Sequence, residues 1–335
     1  MDFQVYFEGI KVLFSGQNPY VSLLTMPGPF NYPPTVFLFI AFFQNKVLFD
    51  LLSYLAFFLS VYLLTKRNLV TAGGLFLLFL ISYFPFKFNN VMGQINNFIL
   101  LFIVLAYYYH PFFLAYAIGI KLVTVIYLFY YFLTKDYKKI LSVFLFVALL
   151  IVLSLFVVPL NFQKVHFTDV ILRAFGDTGK EVYYNQSLAG LLSRSGLPFL
   201  LYPLSLLFLI MTWFKGRRLT PDKVFSAVTC LMLILNPIAW QHHFVIAVIP
   251  LIFLFKDDKL LVSLSYLLMA WNFKHPEIIP TDINVILSHQ FLGVFLLWVL
   301  ALFGKKTRTI LLVIYAVFFL FIYLRFLLCK GNFCF

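Results

Sequence analysis

Asp2 heads the stretch MDFQVYFEGIKVLFSGQNPYVSLLTMPGPFNYPP, the first 34 residues of a chain that is otherwise a succession of apolar runs. A carboxylate held at a membrane surface above apolar helices is a candidate general base for chemistry on a lipid-linked substrate. The pattern of residues 2–14 predicts a short amphipathic helix in which Asp2, Tyr6 and Gly9 share a face that Leu13 continues. An acid placed there only to favour the helix dipole is the competing reading of Asp2. Glu8 falls off that face.

Four further polar segments carry candidate chemistry. Gly93-Gln94-Ile95-Asn96-Asn97 opens an apolar run, and the Gln94 amide suits a sugar hydroxyl or a phosphate, or else caps a helix with Asn89 and Asn90. Asn185-Gln186-Ser187 starts a helix, and Arg194 follows two turns later, suited to an anionic phosphate or to snorkelling. Asn236-Pro237-Ile-Ala-Trp240-Gln241-His242-His243 predicts a tight turn. Its adjacent histidines point to different helix faces and so do not share one metal. One of them is expected to donate to a phosphate oxygen. Lys121 lies in an apolar stretch about ten residues, or ~15 Å, from the expected inner surface. A charge at that depth is costly unless it meets water or an anion such as a lipid phosphate.

The elements that position these residues are membrane helices. The chain is 63% hydrophobic and 11% charged, with a mean hydropathy of +0.98, which excludes an ordinary soluble domain. Continuous apolar runs, without strand alternation, exclude an outer-membrane barrel. Spans are predicted near 46–65, 69–86, 91–109, 140–159, 196–214, 224–240, 241–255, 259–273, 285–303 and 309–328, with a shorter helix at 35–44. The +13 net charge gathers in four short clusters around Lys66, Lys135, Lys215 and Lys305, so it reads as positive-inside topology and not as nucleic-acid binding. Treating 110–133 as a re-entrant hairpin that turns near Gly119 puts all four clusters on the cytoplasmic side. It also puts the head 1–34, the Gly93-Gln94 loop, the loop 160–195, the Trp240–His243 turn and the loop 274–284 on the opposite face. Three cysteines form no metal pattern: Cys230 is a packed thiol, and Cys329 and Cys334 lie near the C-terminus. No cleavable signal is expected, because residue 2 is acidic and no basic segment precedes an apolar one.

Taken in order, DFQVYFEG with SGQNPY and FNYPP, then GQINN, GIKLVTVIYLFYYF with a basic loop, NQSLAGLLSR and NPIAWQHHF resemble glycosyltransferase family 87. These are polyprenyl-phosphate-mannose-dependent mannosyltransferases of the GT-C superfamily. The resemblance implies an all-α polytopic membrane protein. Its fold would be a GT-C-like bundle of about ten transmembrane helices with a re-entrant hairpin and an outer juxtamembrane helix, residues 1–335 forming one domain. It implies transfer of mannose or a similar sugar from a polyprenyl-phosphate donor to a lipid or glycan acceptor, at the extracytoplasmic face of the plasma membrane. Asp2 matches the family's acid in its first outer loop, and His242 and His243 match its Trp-x-His-His turn.

The expected assignment makes Asp2 the base. His243, His242, Arg194 and Lys121 hold the donor phosphate, and Gln94, Asn185, Tyr6 and Tyr32 contact substrate. No Asp-rich motif is present, so neither a metal nor another cofactor is expected. Two rival readings are a transporter or flippase, and a non-catalytic subunit of an envelope-polysaccharide complex. A transporter would carry charges along a central path on both sides of the bilayer, whereas these polar segments favour one side.

Overall fold

The computed structural model describes residues 2–22, 30–43, 45–171, 182–273 and 287–304. The expected span 309–328, the loop 274–284, the Lys305 cluster, Cys329 and Cys334 lie outside the described residues. Every regular element among the described residues is helical, and an isolated antiparallel bridge joins Asn185 to Trp240. The chain divides into two compact units, Met1–Thr178 and Gly179–Phe335.

The first unit contains α1 (Asp2–Phe14), α2 (Pro19–Ser22), α3 (Phe37–Ile40), α4 (Lys46–Leu64), α5 (Leu69–Ser82), α6 (Phe84–Met92), α7 (Asn96–Tyr108), α8 (Phe112–Ile120), α9 (Leu128–Leu133), α10 (Tyr137–Ser154) and α11 (Leu160–Val165). Short polar residues start the long helices. Asn45 Oδ1 accepts from Val47 N, Asn68 Oδ1 from Thr71 N and Asp136 Oδ1 from Lys139 N, each satisfying a donor that the first turn leaves open. Left-handed Lys66, Arg67 and Lys135 stop α4 and α9.

Two predicted spans take a different form. The run 69–86 breaks at Tyr83, and α5 and α6 meet at 74°. Pro85 is the cause: inside a continuous helix its ring would strike the carbonyl four residues back and its missing N–H would leave a gap, so it sits in the first turn of α6. The run 91–109 is interrupted by left-handed Gly93, so α7 begins only at Asn96. Within 110–133 the helix stops at Lys121, whose backbone is extended (φ −147°, ψ 106°), and continues as a 3-10 segment, Leu122–Tyr127, before α9. The break therefore falls two residues beyond Gly119, which is itself buried at the end of α8, its carbonyl accepting from Thr35 Oγ1.

The second unit contains α12 (Leu188–Arg194), α13 (Leu201–Gly216), α14 (Pro221–Leu235), α15 (Val248–Leu254), α16 (Lys259–Ala270) and α17 (His289–Phe303). α17 is the axis of its core, packed on α14 and α16. Gly293 allows the approach: a Cβ there would lie 2.8 Å from the Ser265 carbonyl. Trp298 Nε1 donates to Thr212 Oγ1 at 3.0 Å, which ties α17 to α13. Cys230 is a buried free thiol in α14.

Among the described residues three helical stretches, Lys46–Leu64, Tyr137–Ser154 and Pro198–Gly216, are long and apolar enough to cross a bilayer, and the bent pair α5–α6 makes a fourth if counted as one span. Their outward faces are apolar: Leu141, Phe144, Leu145, Leu149 and Val152 on α10 are all exposed. A surface of that kind is stable against lipid and not against water. Replacing Leu145 by Asp is therefore expected to cost about 3–4 kcal/mol of apparent insertion free energy, the Asp penalty plus the lost Leu contribution. A glycosylation-tag insertion assay reads this directly, and an unchanged inserted fraction would remove α10 from the lipid interface.

Candidate active site

The first unit gathers five of the expected site residues. α1 buries Phe3, Val5, Tyr6, Gly9, Ile10 and Leu13 and leaves Gln4 and Lys11 outside, so its inner face is the one that Asp2 begins. Glu8 faces solvent and pairs with Lys11 at 2.8 Å. Two glycines let α1 sit close to its neighbours. A Cβ on Gly9 would lie 2.7 Å from the Phe30 ring, and one on Gly93 would lie 2.7 Å from Phe3 Cβ. Gly93 also needs its positive φ of 67°, which ends α6 and turns the chain toward Asp2.

Gln94 follows at once. Its backbone N–H donates to the Asn89 carbonyl at 2.8 Å, and Asn89 Nδ2 donates to the Gln94 carbonyl at 3.2 Å, so one buried asparagine holds both sides of the residue. The Gln94 side chain donates through Nε2 to Asp2 Oδ2. Its Oε1 faces the phenols of Tyr6 at 3.3 Å and Tyr32 at 3.4 Å, and Tyr6 Oη donates to Tyr32 Oη at 2.7 Å. The two rings meet edge to face, with centroids 4.9 Å apart. Lys121 Nζ donates to Asn96 Oδ1 at 2.8 Å, and Asn96 Nδ2 donates to Asn89 Oδ1 at 3.0 Å, so the lysine joins the same amide network.

Burial pushes the Asp2 carboxyl above its ordinary value, while the charge of Lys121, with the amino-terminal charge, opposes that rise. Burial also raises the Tyr6 and Tyr32 phenols, which stay protonated as donors. The arrangement presents a carboxylate of raised basicity, fixed by an amide, within the electrostatic reach of Lys121. Such a set can accept a proton from a hydroxyl and neutralise nearby negative charge.

The other four expected residues belong to the second unit and form a clamp there. The loop before α12 pairs with the turn after α14: Gln186 N donates to Ala239 O at 2.8 Å and Gln241 N to Tyr184 O at 3.1 Å. Asn185 is fully buried between them. Its Nδ2 donates to Pro237 O at 3.0 Å, and its Oδ1 accepts from Ala239 N at 3.0 Å and Ser187 Oγ at 2.9 Å. Arg194 turns back over the same loop, donating from Nη1 to Val182 O and Asn185 O and from Nη2 to Ser288 Oγ. Burial brings its guanidinium down to about 10. His242 and His243 stand in a 3-10 segment, Gln241–Ala247, with perpendicular rings 4.6 Å apart. Asn236 Nδ2 lies 3.3 Å from His243 Nδ1, and His242 stacks parallel to Trp240, which in turn stacks on Tyr184.

A third cluster escaped the sequence reading. Tyr183 Oη donates to Asn272 Oδ1 at 2.5 Å and meets His289 Nε2 at 3.2 Å, while Gln241 Nε2 also reaches Asn272 Oδ1 at 3.1 Å. The available signal was Ser288-His289-Gln290 at the start of an apolar run, a polar opening of the same kind as Gln94–Asn97. Among the described residues no three of His, Cys, Asp and Glu are grouped as metal ligands would be.

The helical architecture, the lipid-facing helices and a partly buried acid held by an amide describe a membrane protein with a candidate active site. The family model for glycosyltransferase family 87 matches residues 30–237, more than half of the chain, and the chain belongs to that family. It is a membrane glycosyltransferase, acting on a sugar donor and an acceptor. No curated protein and no solved structure matches it. Asp2 and Tyr6 precede the matched stretch, and Trp240, His242 and His243 follow it, so their roles rest on geometry and residue chemistry.

Replacing Gly93 by Ala is expected to impose a left-handed penalty of about 1–2 kcal/mol and to force Phe3 outward. Turnover should fall while membrane insertion stays normal, measured as activity per inserted molecule. In the second unit, Asn185→Ala strips the clamp of its bonds to Pro237 and Ala239, each buried partner left open costing about 1–3 kcal/mol. Hydrogen exchange in residues 182–194 and 236–243 should rise together, and protection that persisted in both segments would contradict the clamp.

Proposed function

We propose that the protein transfers a mannosyl or similar residue from a polyprenyl-phosphate donor to a lipid or glycan acceptor, with Asp2 as general base. The reaction needs little acid assistance, because the departing phosphate is already a good leaving group. It needs a base for the acceptor hydroxyl and a polar cradle for the charge that develops on the phosphate. Asp2 takes the hydroxyl proton as the oxygen attacks the anomeric carbon, the bond from that carbon to the donor's phosphate oxygen breaks, and the sugar changes hands with inversion. Lys121 provides positive charge in the first unit. In the second unit the His242–His243 turn is assigned a donor role toward a phosphate oxygen, and Asn185 and Arg194 shape that turn. Residues 1–335 act as one multi-pass domain of the plasma membrane, with about ten spans, a re-entrant segment at 110–133, and the head 1–34 and loop 160–195 on the extracytoplasmic side.

The observation that carries this reading is the hydrogen bond from Gln94 to Asp2 between residues 92 apart in sequence, inside a member of a glycosyltransferase family. A surface acid that merely favoured a helix dipole would not be met by a buried amide.

Purified protein given labelled polyprenyl-phospho-mannose and a membrane-lipid extract is expected to release polyprenyl phosphate. Asp2→Ala should lower turnover by about 100-fold or more, in line with loss of a general base, with insertion unchanged. Because Asp2 works deprotonated and its carboxyl is raised, activity should fall as pH drops through that raised value and stay level above it. Full turnover by Asp2→Ala would remove Asp2 from the mechanism.

A further inference from the structure

We propose that Gln94 is a positioning residue for Asp2: Tyr6 and Tyr32 lock its amide so that Nε2 holds Asp2 Oδ2 and leaves Oδ1 for the acceptor's proton. This inference rests on the assignment of Asp2 as the base. It moves Gln94, Tyr6 and Tyr32 from contacting substrate to orienting the group that does.

The hydrogen-bond inventory sets the direction. A carboxylate only accepts, so the Gln94 group facing it is the NH2, and Oε1 faces the phenols. Each phenol has one proton. Tyr6 gives its proton to Tyr32 at 2.7 Å, and Tyr32 gives its own to Gln94 Oε1 at 3.4 Å. The result is a chain of donors, Tyr6 to Tyr32 to Gln94 to Asp2, in which each bond polarises the next. Tyr6 is 2% and Gln94 4% exposed, so water competes little for either.

The backbone of Gln94 is held as firmly as its side chain. Asn89 bonds both its N–H and its carbonyl, and the preceding residue is the left-handed Gly93 against Phe3. Asp2 Oδ1 has no hydrogen-bond partner among the described residues, and Asp2 is only partly buried. The charged groups acting on Asp2 are Lys121, beyond α8, and the amino terminus, while Tyr6 of α1 and Tyr32 before α3 face it as neutral phenols. Glu8 and Lys11 are paired with each other on the outer side of α1.

The test is a pH profile of kcat/KM for the full chain, with labelled polyprenyl-phospho-mannose and a membrane-lipid extract, for wild type, Gln94→Ala, Gln94→Glu, Tyr32→Phe and Asp2→Ala. Losing a hydrogen bond to the charged form raises a carboxyl's pKa. Gln94→Ala should therefore move the acid limb upward by about half to one pH unit and lower kcat by about 10- to 100-fold, with donor KM changed less than about threefold. Gln94→Glu adds a like charge and should move the limb further up, and Tyr32→Phe should move it less, in the same direction. A donor or acceptor KM raised about tenfold with the acid limb in place would show that Gln94 contacts substrate and would overturn the proposal. Asp2→Ala separates the two failures. If it stays active, the base assignment falls. If it is inactive while the Gln94 variants keep the wild-type limb, only the positioning role falls. Tyr32→Phe and Gln94→Glu keep the shape of the side chain, so they still report if Gln94→Ala fails to insert.

Discussion

The hydrogen bond from the Gln94 amide to the Asp2 carboxylate ties the proposed catalytic acid of the head to the helical body of its first unit. It forms only because three local features agree. Gly93 adopts a backbone conformation that turns Gln94 toward α1 and has no Cβ to strike Phe3. Asn89 closes the α6–α7 corner around Gln94 from both sides. α1 buries the face on which Asp2 and Tyr6 stand one turn apart. Without that bond the acid would stand at a helix end with nothing to aim it.

Each unit repeats a physical device: a buried asparagine spends its side chain on loop backbone. Asn89 serves the α6–α7 corner and Asn185 serves the turn after α14. Each unit also leaves the α-helical form beside a candidate residue. Lys121 is extended and precedes a 3-10 run of six residues, and His242 and His243 lie within one of seven. Runs of that length are uncommon, because their hydrogen bonds are less well aligned than those of an α-helix. They recur here at the polar points of apolar stretches, where side-chain direction matters more than helix stability.

The amide-rich interior is costly for a membrane protein, since each buried polar group must find a partner. The first unit meets part of that demand with a connected set. Lys121, Asn96, Asn89 and Gln94 bond in series, and Asn97 bonds Ser53 and Asn90 beside them. Outside, the lipid-facing side of α10 is mostly Leu, Val, Ile and Phe. Polar material is thus concentrated within the units, which keeps the lipid-facing surface free of charge along the spans.

The amino-acid sequence alone determined the helical membrane class, because long runs without charge have no stable place in water, and it showed α1, whose apolar spacing follows the helical period. It also marked Asp2, Gln94, Lys121 and the His242–His243 turn, since polar residues stand out where apolar ones are the rule. It did not show that the span 69–86 bends at Tyr83, because a proline's clash depends on whether the chain would otherwise continue as one helix. Nor did it show that Gln94 faces a carboxylate, that Arg194 turns back onto the carbonyls of Val182 and Asn185, or that Tyr183 meets His289. Those pairings are choices among many donors and acceptors of equal local merit. Only packing, which sets what lies within about 3 Å of each polar atom, makes the choice.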